Sequence, residues 1–331
     1  MFDGNYTRMV NRMDKGWYYM AQRGAANKKK KLPAGRAMVV VFVLIAVIAL
    51  IYNLYGESTP QTPLETLPFP AEGEIRVSFL DIGQGDSILI QSSEHNVLID
   101  TGEYSARRRL LAYLRESGVE RVDYLIATHP HEDHIGGMNP VLNLFDVRNV
   151  VMPDVTHNTR VFENLLNNID NKKIPLTIAS AGDVIKAGII ELVVVSPEVG
   201  ASHGNINDMS LVLRLVHGDT AFLFTGDVEQ YVEDIILSVG RDIRANVLKV
   251  SHHGSNTSTS GPFLDAVAPA VAVISVGSGN PYGHPNPDTI GRLSEPNRGI
   301  LILRTDLNGS IVMTTDGVQI ELYARDNGNG E

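Results

Sequence analysis

Tyr124-Leu125-Ile126-Ala127-Thr128-His129-Pro130-His131-Glu132-Asp133-His134 sets four apolar residues directly before three imidazoles and two carboxylates. The apolar run reads as a buried strand, and the proline and charges after it read as the loop at its end. Side chains on such a loop can converge on one point, which regular helix or strand spacing makes harder. Imidazole nitrogen plus carboxylate oxygen is a donor set that suits zinc, manganese or iron. The whole chain has only ten histidines, so three in six positions weigh against a chance surface loop.

Four more polar clusters fall at or just past apolar runs. Val97-Leu98-Ile99 leads into Asp100-Thr101-Gly102, and Phe224-Thr225 leads into Gly226-Asp227. Lys249-Val250 leads into Ser251-His252-His253-Gly254-Ser255, and the run Val271–Ser275 is followed by Asn280-Pro281-Tyr282-Gly283-His284-Pro285. Polar residues at the same end of successive strands collect along one sheet edge, where sites on layered α/β folds form. From Ile75 onward apolar strands alternate with helical patterns over Ala106–Ser117, Gly137–Phe145, Arg160–Asn168, Glu229–Val239, Pro262–Ala268 and Pro287–Leu293. His217-Gly218-Asp219 reads as a hairpin turn. Hairpins followed by strand–helix alternation predict an α/β fold of two sheets sandwiched between helices.

The sequence contains no cysteine, which excludes disulfides, thiolate ligands and a cysteine nucleophile. Residues 37–55 include the apolar run Met38–Tyr55. At about 1.5 Å per residue its eighteen residues approach the roughly 30 Å of bilayer hydrocarbon, so it is expected to be a membrane anchor. Residues 1–36 hold nine basic and two acidic residues, a net of +7 against −10 for the whole chain, leaving −17 on residues 37–331. The positive-inside rule then expects a cytoplasmic basic segment 1–36, a single pass, and the remainder outside the cell membrane. Residues 56–74, with four prolines, read as a linker; residues 75–325 form the main domain, and 326–331 a disordered tail.

His129-x-His131-x-Asp133-His134 resembles the metal signature of the metallo-β-lactamase superfamily of hydrolases. Phe79-Leu80-Asp81-Ile82-Gly83-Gln84-Gly85-Asp86, Gly226-Asp227, Ser251–Ser255 and Tyr282-Gly283-His284-Pro285 are similar to the ComEC-type competence hydrolase domain, over roughly residues 74–323. The multi-span channel of those proteins has no counterpart in this sequence, so transport of DNA is not implied. The resemblance implies an αββα four-layer sandwich and two divalent ions, Zn2+ or Mn2+. It places His129 and His131 on one ion, Asp133 and His134 on the second, Asp227 between them, and His253 completing the second site. Two cations would lower the pKa of a shared water, giving hydroxide near neutral pH. Asp133 would also orient that nucleophile, and His284 would contact the scissile group. Asp81 and Asp100 are expected to fix histidine tautomers. His252 and His253 are adjacent and point differently at a strand end, so only one, His253, is expected to bind metal, with His252 an outer residue beside Asp81 and Asp100. His203, and Asn207 in Asn207-Asp208-Met209-Ser210, lie where the superfamily often supplies another ligand to the first metal.

These features predict a metal-dependent hydrolase acting on a phosphodiester, either nucleic acid or a cell-surface diester such as phosphorylcholine on teichoic acid. Lactam or lactone hydrolysis remains open and would fit a mainly apolar pocket. A non-catalytic metal-binding surface protein is a further alternative, although structural zinc sites are usually closed and cysteine-rich. The −17 domain repels long polyanions, and phosphate binding normally draws on Lys and Arg. The expected partners are the substrate and the lipid bilayer; no protein partner is inferred.

Overall fold

Ile88-Leu89-Ile90 and Phe222-Leu223-Phe224 are buried at every position, so each strand needs apolar cover on both faces. The computed structural model, which describes residues 6–10 and 68–325, supplies that cover with two sheets face to face. One sheet runs in the order Tyr6–Val10, Ile320–Arg325, Ile311–Thr315, Ile75–Phe79, Ile88–Gln91, Asn96–Ile99, Tyr124–Ile126, Val150–Met152, Leu176–Ile178. The other runs Val184–Ala187, Ile190–Ser196, Val212–His217, Thr220–Phe224, Val247–Lys249, Val271–Ile274, Leu301–Arg304.

Alternation along each strand divides the core into three layers. Ile88, Ile90, Phe222 and Phe224 meet in the middle layer between the sheets. Leu89 and Leu98 face outward onto Leu110, Leu114, Met138 and Leu165 of the helices Arg107–Glu116, Met138–Leu144 and Arg160–Lys172. Leu223 and Leu248 face the opposite way, onto Val232, Phe263 and Leu293 of the helices Gln230–Val239, Gly261–Val267 and Pro287–Leu293. The result is the helix–sheet–sheet–helix sandwich expected from the sequence.

Both sheets switch to parallel pairing where the site lies. Asn96–Ile99 pairs in parallel with Tyr124–Ile126. In the second sheet Thr220–Phe224, Val247–Lys249 and Val271–Ile274 are parallel neighbours. Their carboxyl ends therefore share one rim, and every polar motif follows one of those ends.

The expected membrane anchor at residues 37–55 and the tail 326–331 lie outside the described residues. Among the described residues no helix is long and apolar enough to cross a membrane. Tyr6–Val10 pairs antiparallel with Ile320–Arg325, whereas the sequence expects residues 1–36 to form a cytoplasmic segment. An edge strand of this domain and a segment across a bilayer from it are mutually exclusive placements.

Candidate metal centre

Asp227 is the hub of the rim. Its Oδ2 lies 3.2 Å from His134 Nε2 and 3.3 Å from His253 Nε2. The same oxygen is 3.9 Å from His129 Nε2 and 3.9 Å from His252 Nε2. Asp133 Oδ2 reaches His253 Nε2 at 3.3 Å and His134 Nε2 at 3.8 Å. His131 joins through His129, with His131 Nδ1 3.0 Å from His129 Nε2. Local backbone makes this convergence possible. Gly226 has a φ of +51°, and a Cβ there would lie 2.9 Å from Ser210 Cβ, so the strand can turn sharply into Asp227 only with glycine.

Hydrogen bonds at the back of the cluster fix which imidazole nitrogen faces inward. His134 Nδ1 is 2.7 Å from Asp100 Oδ2, and Asp100 also accepts from the Thr128 amide at 2.8 Å and its hydroxyl at 2.7 Å. His253 Nδ1 donates to the Ser275 carbonyl at 2.9 Å. A carbonyl can only accept, so the proton belongs on Nδ1 and the Nε2 lone pair points at Asp227. His134 Nε2, His253 Nε2 and Asp227 Oδ1 are buried and have no hydrogen-bond partner. Acceptors facing one another at these distances repel unless a cation or proton lies between them. The donor chemistry, nitrogen and carboxylate oxygen with outer hydrogen bonds in place, fits divalent metal.

Charge follows the same geometry. Burial, and next the neighbouring His134, hold His129 well below the usual imidazole range, and burial lowers His131 as well. Neutral imidazoles are the form that ligates metal. For His134 burial favours the neutral form, yet Asp227, Asp100 and Asp133 outweigh it and raise its pKa well above the ordinary value. Burial likewise opposes charge on His253, but Asp227 and Asp133 push it up to about 10. In Asp227 burial favours protonation, and His253 and His134 overcome it, holding the carboxyl well below the usual range. Without metal, protons take the place of a cation.

A cavity of about 360 Å³ opens over the cluster. His284 stands on its wall, its ring centroid 5.5 Å from that of His252 and 6.5 Å from that of His253. Burial, then His252 and His253, lower its pKa to about 4, so the ring is neutral at pH 7. Its Nδ1 is buried without a partner.

One sequence expectation requires correction. Asp81 touches no histidine: its carboxylate accepts from the Gly83 amide and from Arg109 at 3.3 Å. The turn at Gly83 and Gly85 carries Asp86 inward instead, 3.5 Å from His253 Nδ1. His253 joins the group of donors around Asp227 and His252 does not, although both adopt left-handed backbone angles, φ +53° and +49°. The His252 ring faces the cavity, 3.4 Å from Asn207 Nδ2 and 3.4 Å from Glu229 Oε1. Asn207 therefore lines the site, whereas His203 packs against Tyr231 with ring centroids 5.4 Å apart. Sequence reasoning gave no role to Asp86, Lys249, Glu229 or Gln84, although the motifs containing Asp86, Gln84 and Lys249 had marked their neighbourhoods.

Residues 80–278 match the family model for the Metallo-beta-lactamase superfamily. ComE operon protein 3 of Bacillus subtilis (strain 168) is 34% identical over 259 residues, 73% of this chain and 33% of that protein. Competence protein ComA of Neisseria gonorrhoeae is 32% identical over 244 residues, 72% of this chain and 32% of that protein. The chain thus spans about a third of the length of these curated relatives. The metallo-beta-lactamase fold protein YhfI from Bacillus subtilis shares the fold, with a TM-score of 0.50 at 12% identity, over 73% of this chain and 100% of that one. The family match covers more than half of the sequence and contains the cluster around Asp227, so the chain belongs to the metallo-beta-lactamase superfamily, as a metal-dependent hydrolase related to competence proteins.

Proposed function

We propose that the chain is a dinuclear, metal-dependent phosphodiesterase. One observation carries the substrate class: among the described residues no aliphatic side chain lines the cavity over the cluster, whose walls are imidazole, amide, carboxylate and phenol. A lactam or lactone ring needs apolar cover, whereas a phosphoryl group needs polar contacts on several sides. His129 and His131 would hold one ion, Asp133, His134 and His253 the other, with Asp227 between them. Such ions, when bound, supply Lewis acidity toward a phosphoryl oxygen and acidify the attacking water. Asp133, half-buried, accepts a hydrogen bond from that water and aims it. His284, neutral at pH 7, donates a ring N–H to a phosphoryl or leaving-group oxygen. His252 and Asn207 offer further polar contacts on the cavity wall.

Among the described residues no lysine or arginine lines the cavity, which favours a short diester over duplex nucleic acid. The test is the purified full chain with its metal content measured, assayed on bis-p-nitrophenyl phosphate, single-stranded DNA and a cephalosporin, beside Asp227→Asn. Hydrolysis of the diester that disappears in the variant supports the proposal; hydrolysis of the cephalosporin alone overturns it. Sidedness is a separate measurement. Protease protection in intact cells decides between a membrane-crossing segment 37–55, which would put Tyr6–Val10 across the bilayer from Ile320–Arg325, and the pairing of those two strands, which requires both on one side.

A further inference from the structure

Tyr282 lines the cavity although 63% of it is exposed. Its ring stacks on His284, with centroids 5.8 Å apart and planes 28° apart, and His284 stacks on His253 at 6.5 Å and 27°. Three rings therefore lead from the metal donors out to solvent, and the outermost carries a large open surface. The ladder stands on a fixed loop. Asn280 Oδ1 accepts from the Tyr282 and His284 amides at 3.1 Å each. Its Nδ2 donates to the His284 carbonyl at 2.6 Å and to the Gly277 carbonyl at 3.0 Å. Gly277 in turn donates its amide to Gln84 at 3.2 Å, which ties the loop to the opposite wall. A tyrosine held this way loses little freedom when a flat group settles on it.

We infer that Tyr282 is a stacking platform for a nucleobase beside the scissile diester, so that the substrate is a short or single-stranded oligonucleotide. This rests on the phosphodiesterase reading above and narrows it. Two observations favour a base over other diester substituents. Among the described residues the cavity wall provides no lysine or arginine to grip successive phosphates, so affinity beyond the metal contacts has to come from elsewhere. The one large surface offered next to the metal donors is aromatic, and every base has a face that stacks on it. Stacking on Tyr282 needs a base free of its own neighbours, which a duplex does not present.

The experiment compares the full-length, metal-loaded protein on thymidylyl-thymidine, on the same dinucleotide lacking both bases, on bis-glycerol phosphate and on a 20-mer duplex. The expected result is a preference of at least about tenfold in kcat/KM for the dinucleotide over its abasic form. Tyr282→Ala should collapse that ratio toward one, and Tyr282→Phe should keep it within about twofold, since both rings stack. Equal rates on the two dinucleotides in the wild type overturn the inference, as does a ratio unchanged in Tyr282→Ala. So does faster turnover of bis-glycerol phosphate or of duplex than of the dinucleotide. Failure to cleave any diester, bis-p-nitrophenyl phosphate included, would instead bring down the phosphodiesterase reading itself. Cleavage of the abasic and glycerol diesters without base preference removes this inference alone.

Discussion

Lys249 Nζ lies 2.7 Å from Asp86 Oδ2, with the lysine side chain 0% and the aspartate side chain 2% exposed. The lysine ends a strand of the second sheet, and the aspartate lies in the loop after Ile75–Phe79 of the other sheet. The pair thus bolts the two sheets together directly behind the metal donors. Lys249 also donates to the Val250 carbonyl at 2.9 Å, and Asp86 Oδ1 is 3.5 Å from His253 Nδ1. Lys249→Met leaves a buried carboxylate without its cation, and urea denaturation should register a loss of about 3–5 kcal/mol. The double variant Lys249→Met/Asp86→Asn should lie at least about 1 kcal/mol above the sum of the two single changes. Strict additivity would show that the two groups do not interact.

Asp100 and Asp81 separate a carboxylate that serves the metal from one that does not. Asp100 is sealed against His134 Nδ1 at 2.7 Å, while Asp81 meets Arg109 on the surface. Asp100→Asn keeps the residue type tolerated at its φ of +55° but removes the charge that holds the imidazole. Metal affinity, measured by competition with a chromogenic chelator, should fall about 10–100-fold. Asp81→Asn removes only an exposed ion pair and should leave affinity within about twofold. Equal effects of the two changes would refute this assignment.

The sequence made the sandwich legible because fully buried parallel strands appear as unbroken apolar runs. The run Val271–Ser275 marks the strand Val271–Ile274 to within a residue on that signal alone. Leu176–Ile178 and Val184–Ala187 escaped because they are short edge strands, the first exposed throughout and the second at alternate positions. Within the site, the motif histidines and Asp227 could be read from their positions past strand ends. The choice between Asp81 and Asp86 could not, since both belong to one loop and only its glycine turns decide which carboxylate points inward. Nor could the orientation of His252, which depends on two successive left-handed residues that nothing in the side-chain pattern signals.

Stability of the metal-free protein should depend on pH through His253. Its folded value of about 10 lies above the ordinary 6.5, so the charged form is favoured by folding. That contribution is complete below about 6.5 and is lost as pH rises through 10. Thermal melts in excess EDTA should therefore show Tm falling between pH 6.5 and 10, apart from changes shared with a His253→Gln control. Metal has to displace the same protons, so affinity should climb over this window. Calorimetric titration at pH 7.5 in two buffers of different ionisation enthalpy should reveal proton release; identical heats in both would contradict it.

The loop bearing Asp86 is set against the metal motif at Gly85. A Cβ on Gly85 would lie 2.0 Å from the Asp133 carbonyl oxygen, and the residue has a φ of +111°. That carbonyl is already engaged by the Asp86 amide at 3.1 Å, so backbone on both sides has to move to admit a methyl group. Gly83, two residues earlier, has a φ of +83° but open space where its Cβ would go. Gly83→Ala should thus cost about 1–2 kcal/mol from backbone strain alone. Gly85→Ala should cost about 3 kcal/mol or more, because overpacking adds to the strain. Only Gly85→Ala should also weaken metal binding, since the displaced backbone carries Asp133. Matching losses of stability and unchanged metal affinity in both variants would mean that the loop does not brace the metal donors.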